Sequence, residues 1–416
     1  MEVYILDDQL RRDEVVENYE SMIWTDRFVD SGDFILEIDP LVAENPLFNQ
    51  GTMLAIDKSD RVMVTKSVET SLNDDGVRIL KVEGESLEGV LKERPNKYGN
   101  ITAGTATSTL YLGGSGGVGG AGATPTAILR QLVSDCCVTN TAFQYQIGGT
   151  GPFYYPERIP FIQTVGGYIS GMIPEPTVTP IIQTEIDTLF NTIKSLCDIY
   201  RLGFRLVRPA DDSKLYFEVY TGYDRTSTQS VLPAVIFSSD LDNLTDTSDL
   251  TSTKDLKNTA YVFAPGGSRV VYGEGVDSTV LGFQKKVLIV DANDITDIVG
   301  VGGVTLASLN AKLDQRGMEE LAKHRVLIGF DGKVPQNSSL VYGVDYKLGD
   351  LVEQRSDRGA RNIMRVSEQI FVHDKEGERS YPTLTLDSFL VAGSWDSVSI
   401  TKKWDSGYTT EVWNSM

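Results

Sequence analysis

Read from the N-terminus, short apolar runs at Val3–Leu6, Phe34–Ile38, Thr52–Ile56, Val62–Val68 and Val77–Val82 are separated by Gly, Asp and Asn turns. Runs of that length at such close spacing predict strands of a small β-barrel or sandwich over residues 1–95. The polar tetrapeptides Asp57-Lys58-Ser59-Asp60 and Asn73-Asp74-Asp75-Gly76 each stand between neighbouring apolar runs, as hairpin turns do. Ser86 is placed to cap a short helix through Leu87, Val90 and Leu91, which must end before Pro95.

From residue 96 to about 178, Gly, Thr, Ser and Pro crowd out charge. Seven of the ten residues Gly113–Gly122 are glycine, whose backbone entropy opposes a regular element, so a mobile loop is expected there. Thr124-Pro125 reads as an N-cap followed by proline at the first helical position, with Ile128, Leu132, Val133 and Cys136 on one face. The Pro-rich stretch Gly151–Pro180 predicts irregular or edge-like chain. The strongest helical rhythm runs from Pro180 to Arg201 through Ile182, Ile186, Leu189, Phe190, Ile193, Leu196, Cys197 and Tyr200, with Gly203 as its stop. Strands Phe204–Val207 and Leu215–Tyr220 follow, joined by the turn Ala210-Asp211-Asp212-Ser213. After a polar stretch between Phe237 and Thr253, strand-like runs return at Thr259–Ala264 and Lys285–Val290. A second helix spans Leu306–His324, weakened by Gly317, and three strands are expected in Tyr342–Leu390, the last at Thr383–Leu386. The chain shows no solenoid or propeller repeat.

Charge narrows the function classes. The 416 residues carry 38 Lys plus Arg against 58 Asp plus Glu, a formal charge of −20. A nucleic-acid binder needs a basic face to displace counterions, so DNA binding is disfavoured while DNA passage is not. Composition is that of an ordinary globular chain, and the length suggests two to four domains. The opening MEVYILDDQLRRDE lacks a basic leader followed by an apolar stretch, and no apolar run is long enough to span a bilayer, so neither a cleaved signal nor membrane insertion is expected. Three cysteines, Cys136, Cys137 and Cys197, two of them adjacent, fit folding in a reducing cytosol.

Candidate chemistry is sparse. Gly114, Gly116 and Gly119 fit GxGxxG, but the helix predicted at Pro125 begins too late for its amides to reach a pyrophosphate, and no apolar strand ending in an acid follows it. Gly113-Gly114-Ser115-Gly116-Gly117 fits the GxSxG nucleophile elbow, yet that elbow is a strained, fixed turn. The two histidines, His324 near a helix end and His373 at a strand end, give no base placed for Ser115. No zinc-ligand spacing is present. Asp291, Asn293, Asp294 and Asp297 could crowd a Ca²⁺ ion, but the glycine and late glutamate of an EF-hand loop are missing, which favours a helix cap or solvated turn. Neither a catalytic residue, a metal nor a cofactor is assigned.

One set of segments points elsewhere. YTGYDRT (Tyr220–Thr226), IFSSDLDNLTD (Ile236–Asp246), Asn258-Thr259-Ala260-Tyr261-Val262 and YGVDYKLGDLV (Tyr342–Val352) resemble, in their order along the chain, the minor tail proteins of siphophages infecting actinobacteria. These belong to the baseplate or tail-tip hub family. Read without the resemblance, Gly222, Asp224, Arg225 and Thr226 form a bend at a strand end held by charge-assisted hydrogen bonds within a turn or to a neighbouring subunit, and Asp345, Gly349 and Asp350 form a turn feeding a strand. Both readings make them fold and assembly residues.

The resemblance implies a mainly β chain with α+β inserts, giving two hub-type β-barrels: residues 1–95 as the first, 204–264 with 336–390 as the second. A Gly-rich insert at 96–203, an α/β insert at 265–335 and a tail at 391–416 complete the division. It further implies a homotrimer ringing the DNA channel in the virion, in contact with the tail tube or distal tail protein, the tape-measure protein and other minor tail or fibre proteins. DNA would pass without specific binding, and the protein would be made in the host cytoplasm. Many relatives continue into fibre, peptidase or wall-degrading domains, whereas this chain stops at Met416 after a tail too short for another domain. Trp395, Trp404 and Trp413 recur every nine residues there. They are candidate anchors on a neighbouring tail protein, or else belong to terminal strands packed on the chain's own core. Two other classes stay open: a virion-associated wall hydrolase using carboxylates, and a carbohydrate-binding receptor protein.

Overall fold

Alternating apolar positions in the first block become seven strands of a computed structural model: β1 (Val3–Leu6), β2 (Arg12–Val16), β3 (Tyr19–Arg27), β4 (Asp33–Ile38), β5 (Met53–Ile56), β6 (Met63–Leu72) and β7 (Arg78–Ser86). The structure describes residues 1–386 apart from 18, 39–47, 73–77, 97–108, 140–144, 147–152, 155–158, 160–161, 165–172, 210–213, 244, 274, 325–326, 334–338 and 356–360. The expected turns at Asn73–Gly76 and Ala210–Ser213, and the three tail tryptophans, lie outside the described residues. The strands pair antiparallel in the order β3-β4-β7-β6-β5-β1-β2. Their inward positions, among them Val3, Met22, Trp24, Phe34, Leu36, Leu54 and Val82, share one core with Phe371 from the far end of the chain. The Ser86 side chain makes no cap; its Oγ accepts the Gly32 amide at 2.8 Å, and the residues after it form a 3-10 turn, Leu87–Glu93.

The next block holds β8 (Thr109–Leu112), α1 (Pro125–Val133), β9 (Tyr145–Gln146), β10 (Phe153–Tyr154), β11 (Ile162–Thr164), β12 (Ile182–Glu185) and α2 (Leu189–Tyr200). Thr124 caps α1 by accepting the Ala127 amide. The helix expected from Pro180 is shorter: Ile182–Glu185 pairs with β8 as a strand, and α2 starts where the Thr188 side chain accepts the Asn191 amide at 3.1 Å. It ends at Arg201 in the left-handed region, not at Gly203, which opens the next strand. The Gly113–Gly122 segment, expected as a mobile loop, follows tight turns. Val118 is buried, its amide donates to Tyr111 O, and its carbonyl accepts the Gly113 amide, both at 2.8 Å.

The remainder supplies β13 (Gly203–Val207), β14 (Leu215–Tyr220), β15 (Ile236–Phe237), β16 (Thr245–Ser252), β17 (Thr259–Ala264), β18 (Gly267–Tyr272), β19 (Val287–Asp291), α3 (Leu306–Ala322), β20 (Leu327–Lys333), β21 (Leu351–Arg355), β22 (Arg361–Asp374) and β23 (Gly377–Leu386). The pairing of β3 with β22 makes one thirteen-stranded sheet of both ends of the chain. Its order, β16-β20-β23-β22-β3-β4-β7-β6-β5-β1-β2, with β15 and β21 branching from β22, runs from one free edge to the other, and no pairing between described strands closes it. The polar stretch between Phe237 and Thr253 contains β16. Three further cores lie beside this sheet. One unites α1, α2, β13 and β14 with Leu6, Leu10 and Val62. A second gathers Phe28, Tyr220, Phe237, Tyr346, Val352 and Met364. The third sits under α3, against one face of β18-β17-β19. Gly317, a weak point for helix propensity, lets α3 approach β18: a Cβ there would lie 2.5 Å from the Val271 side chain.

Candidate functional site

The two motif segments read from the sequence meet. The chain leaves β14 at Tyr220, bends at Gly222 and runs beside the start of β21, with Asp224 and Leu351 forming a bridge. Gly222 has φ +75°, and a Cβ on it would fall 2.2 Å from the Gly349 carbonyl oxygen, so glycine is required on both counts. Gly349 stands opposite at φ +91°, with the Phe28 ring where its Cβ would be.

Asp350 locks the crossing. Its carboxylate is almost fully buried and accepts the Tyr223 amide at 2.8 Å, the Arg225 Nε–H at 2.9 Å and the Lys347 amide at 2.9 Å. Burial pushes its pKa up against the opposing pull of those two amides and the Arg225 guanidinium. Arg225 therefore pairs with Asp350 across the fold. Asp224 turns back on its own segment, accepting the Thr226 amide at 2.9 Å and hydroxyl at 2.7 Å. Asp345 stays local as well, accepting the Val341 amide at 2.7 Å, and the turn it holds presents Tyr346 edge-on to Phe237. Of the seven motif residues, six meet at one crossing and Asp345 braces the turn before it.

Residues that the sequence reading missed support this clasp. The Arg365 guanidinium, from β22, donates to the carbonyls of Thr221 at 2.8 Å and Gly349 at 2.6 Å and lies over the Phe28 ring. Phe28 also packs edge-on to Tyr220 and fills the space a Cβ at Gly203 would need. Behind it, fully buried Arg61 donates to Glu88 Oε1 at 2.9 Å and to the Arg27 carbonyl at 2.6 Å, and the same Glu88 oxygen accepts the Leu206 amide at 2.8 Å. Asp26, buried beside them, is pushed up to about 6 by burial, although Arg61 and hydrogen bonds from Ser59 and Trp24 oppose the shift. A string of buried polar groups thus ties the first block to β13 and β22. No local signal announces it, because each group finds its partner far along the chain.

Other candidates resolve into structure. Of the three carboxylates considered for Ca²⁺, Asp294 takes Arg316 in a bidentate pair and Asp297 takes Lys312, both from α3, while Asp291 accepts the Asn293 amide. Among the described residues no cluster of His, Cys, Asp and Glu suits a metal ion. His373 lies on β22 beside Tyr19 and the N-terminal amine, and His324 follows the end of α3. A cleft of about 570 Å³ between α2 and α3 is lined by Glu185, Asp187, Asp198, Arg316 and Glu319, among others. Burial pushes Glu319 there up to about 7. No helix among the described residues is long and apolar enough to cross a membrane.

The sequence profile of the family described as Siphovirus ReqiPepy6 Gp37-like protein matches residues 2–384. The fold is similar to that of the tail protein from Neisseria meningitidis MC58, at 14% identity and TM-score 0.54, over 93% of this chain and 97% of that one. Similarity extends to the 43 kDa tail protein of prophage MuSo2 from Shewanella oneidensis, at 13% identity and TM-score 0.49, over 92% and 97% of the two chains. A prophage tail protein from Listeria monocytogenes EGD-e is similar at 10% identity and TM-score 0.47, over 97% and 100%. No curated protein matches the chain.

Proposed function

The chain belongs to the Siphovirus ReqiPepy6 Gp37-like family of siphovirus tail proteins, and from that membership we propose that it is the structural hub of a tail tip or baseplate. Three copies form a ring around the DNA channel, each giving two barrel-like units, and connect the tail tube or distal tail ring to tip or fibre proteins. The family match along nearly the whole chain carries this reading. Seven strands wrapped on one core around Trp24 and Phe34 support the first barrel-like unit. The packing of β15, β21 and β22 around Phe237 and Tyr346 supports the second. Pairing of β3 with β22 and the Arg365 guanidinium lying over the Phe28 ring would hold the two in fixed relation, which a sixfold arrangement built from three chains demands. Three copies carry a formal charge of three times −20. Acids facing the lumen would repel passing DNA rather than hold it, consistent with passage without specific binding. The role is assembly in the virion, without catalysis and without a cofactor.

Light scattering on the purified protein at several concentrations, alone and with the distal tail protein, tests the reading. The expected mass is three times 45.7 kDa. A monomer at every concentration that stays monomeric with its tail partner present would overturn it. Incubation with host wall fragments separates the other classes: released muropeptides would mean a hydrolase, and retention without cleavage a receptor binder.

A further inference from the structure

The insert built from β17, β18, β19 and α3 has a core of its own. Every residue of that core lies between Ala260 and Leu321, and among the described residues none of the other three cores draws a member from that range. Two strands carry the insert. β16, at the free edge of the large sheet, pairs Ser252 with Leu327 of β20; β17 begins at Thr259, and α3 ends at Ala322. The Lys257 amide donates to the His324 carbonyl at 2.8 Å and draws the two connections together as a neck.

Away from the neck, α3 rests on β12 and α2 through a polar seam centred on Gln183. The Gln183 side chain donates to the Asp294 carbonyl at 3.0 Å and accepts the Lys312 ammonium at 3.3 Å, while its main-chain carbonyl accepts the Arg316 guanidinium at 3.3 Å. Gln315 donates to the Tyr200 hydroxyl at 3.2 Å, and Lys312 lies over the Tyr111 ring. Both cations keep a carboxylate inside the insert, Asp297 for Lys312 and Asp294 for Arg316, so lifting α3 off the seam strands neither charge. Water can replace the amide and carbonyl contacts that are lost. Units that share a polar rather than an apolar interface move relative to one another by default, and element ends such as Ser252 and Ala322 are where a hinge takes up its rotation.

We propose that this insert is a hinged arm, which docks on β12 and α2 through the Gln183 seam and swings off it about the neck between β16 and β20. The cleft beside the seam supplies its control. Glu319 of α3 lines that cleft next to Gln315, Arg316, Glu320 and Lys323 of its own helix. The opposite wall brings Lys194 and Asp198 of α2, with Tyr200 beyond, and Glu185 and Asp187 at the end of β12. Burial raises Glu319 from an ordinary 4.5 to about 7, although Arg316, the Gln315 hydrogen bond and Lys323 pull the other way. With α3 lifted the carboxyl returns to water, so the docked arm binds the proton more tightly than the open one. Docking is therefore strongest in acid and weakens as pH rises through about 7, where Glu319 ionises opposite Glu185, Asp187 and Asp198. The arm goes beyond the hub role and does not depend on it.

Pulsed electron paramagnetic resonance tests the hinge in the full chain. Spin labels go on Val178→Cys, in the chain leading to β12, and Met318→Cys, on α3, both exposed positions, while the three native cysteines are buried. Labelled chains are diluted in unlabelled protein, so only distances within one chain are read whatever the oligomer. One short distance is expected at pH 5, and a longer one whose ratio to it grows about 40-fold by pH 7 and then levels off. Glu319→Gln should abolish that growth. Lys312→Met and, separately, Gln183→Leu, each followed through the same pH series, should raise the longer distance already at pH 5. A single distance that neither pH nor either seam variant changes would overturn the hinge. A longer population that does not change with pH, or that still titrates in Glu319→Gln, would overturn the control assigned to Glu319.

Discussion

Asp350→Asn keeps the shape of the clasp and removes its charge. The carboxylate accepts three hydrogen bonds, two of them on the oxygen shared by Arg225 and Lys347. An asparagine has one carbonyl oxygen, so its amino group must face either the Tyr223 amide or the pair formed by the Arg225 Nε–H and the Lys347 amide. Donor then meets donor in a place that water does not reach. Hydrogen bonds to a charged partner are worth about 1.5–3 kcal/mol each, and a buried ion left without its partner costs about 3–5 kcal/mol. These describe the same lost contacts, so the expected loss is about 3–5 kcal/mol rather than their sum. Arg225→Met leaves the carboxylate its two amides and should cost less, about 1.5–3 kcal/mol. In the double variant the unpaired cation is gone, and the combined loss should fall short of the sum by at least about 1 kcal/mol. Because several cores unfold in one chain, the local opening energy is the quantity to measure, by hydrogen exchange in peptides spanning residues 220–237 and 340–354. Additive losses, or single losses within about 0.5 kcal/mol of zero, would refute the clasp as an energetic unit.

Two further outcomes follow from the buried charges behind it. Arg61→Met strands the Glu88 carboxylate and should lower stability to urea by about 3–5 kcal/mol. Adding Glu88→Gln, which keeps an acceptor for the Leu206 amide, should recover some of that loss, and no recovery would show that the pair is not the cause. Asp26, at about 6 in the fold against an ordinary 3.8, binds its proton more tightly folded than unfolded. Its contribution is most favourable below the unfolded value and is lost as pH rises through about 6, where the ionised form costs on the order of 3 kcal/mol. Asp26→Asn can still accept from Trp24 and donate to Ser59, so its stability relative to the native protein should climb between pH 4 and 7. A difference that is flat across urea midpoints in that range would refute the shift.

Legibility along the chain follows the range of the interactions. Strands β1, β4 and β14 and helices α1 and α3 were readable because their apolar period and their caps are local. β3 was missed: Asp26 shares the inward face of Met22 and Trp24, and Thr25 is buried on the opposite face, so a strand buried on both sides and half polar in sequence shows no alternation. It exists because β4 pairs on one side and β22, more than three hundred residues away, on the other. β16 is a polar edge strand defined by its ladder with β20, which composition cannot anticipate. Gly203 read as a helix stop because glycine commonly ends helices. Its actual reason is the Phe28 ring, a contact with no trace in the neighbouring sequence.

The clasp shows the same division within a single site. Gly222, Gly349 and Asp350 could be picked out as turn residues, but the identity of the carboxylate that Arg225 takes could not, since Asp224 is adjacent and Asp350 is 125 positions away. Most of what the clasp touches is main chain: the amides of Tyr223 and Lys347, the carbonyls of Thr221 and Gly349, and the Arg225 and Leu351 groups hydrogen-bonded at 2.9 Å. Main-chain groups are the same whatever side chain they carry. A fold retained at 14% identity and TM-score 0.54 is the behaviour expected of sheets specified by alternation and of crossings built from backbone. Side chains at the exposed Tyr223 and Lys347 should therefore accept replacement far more readily than the two glycines and the one carboxylate. Those three hold the geometry that the backbone alone does not supply.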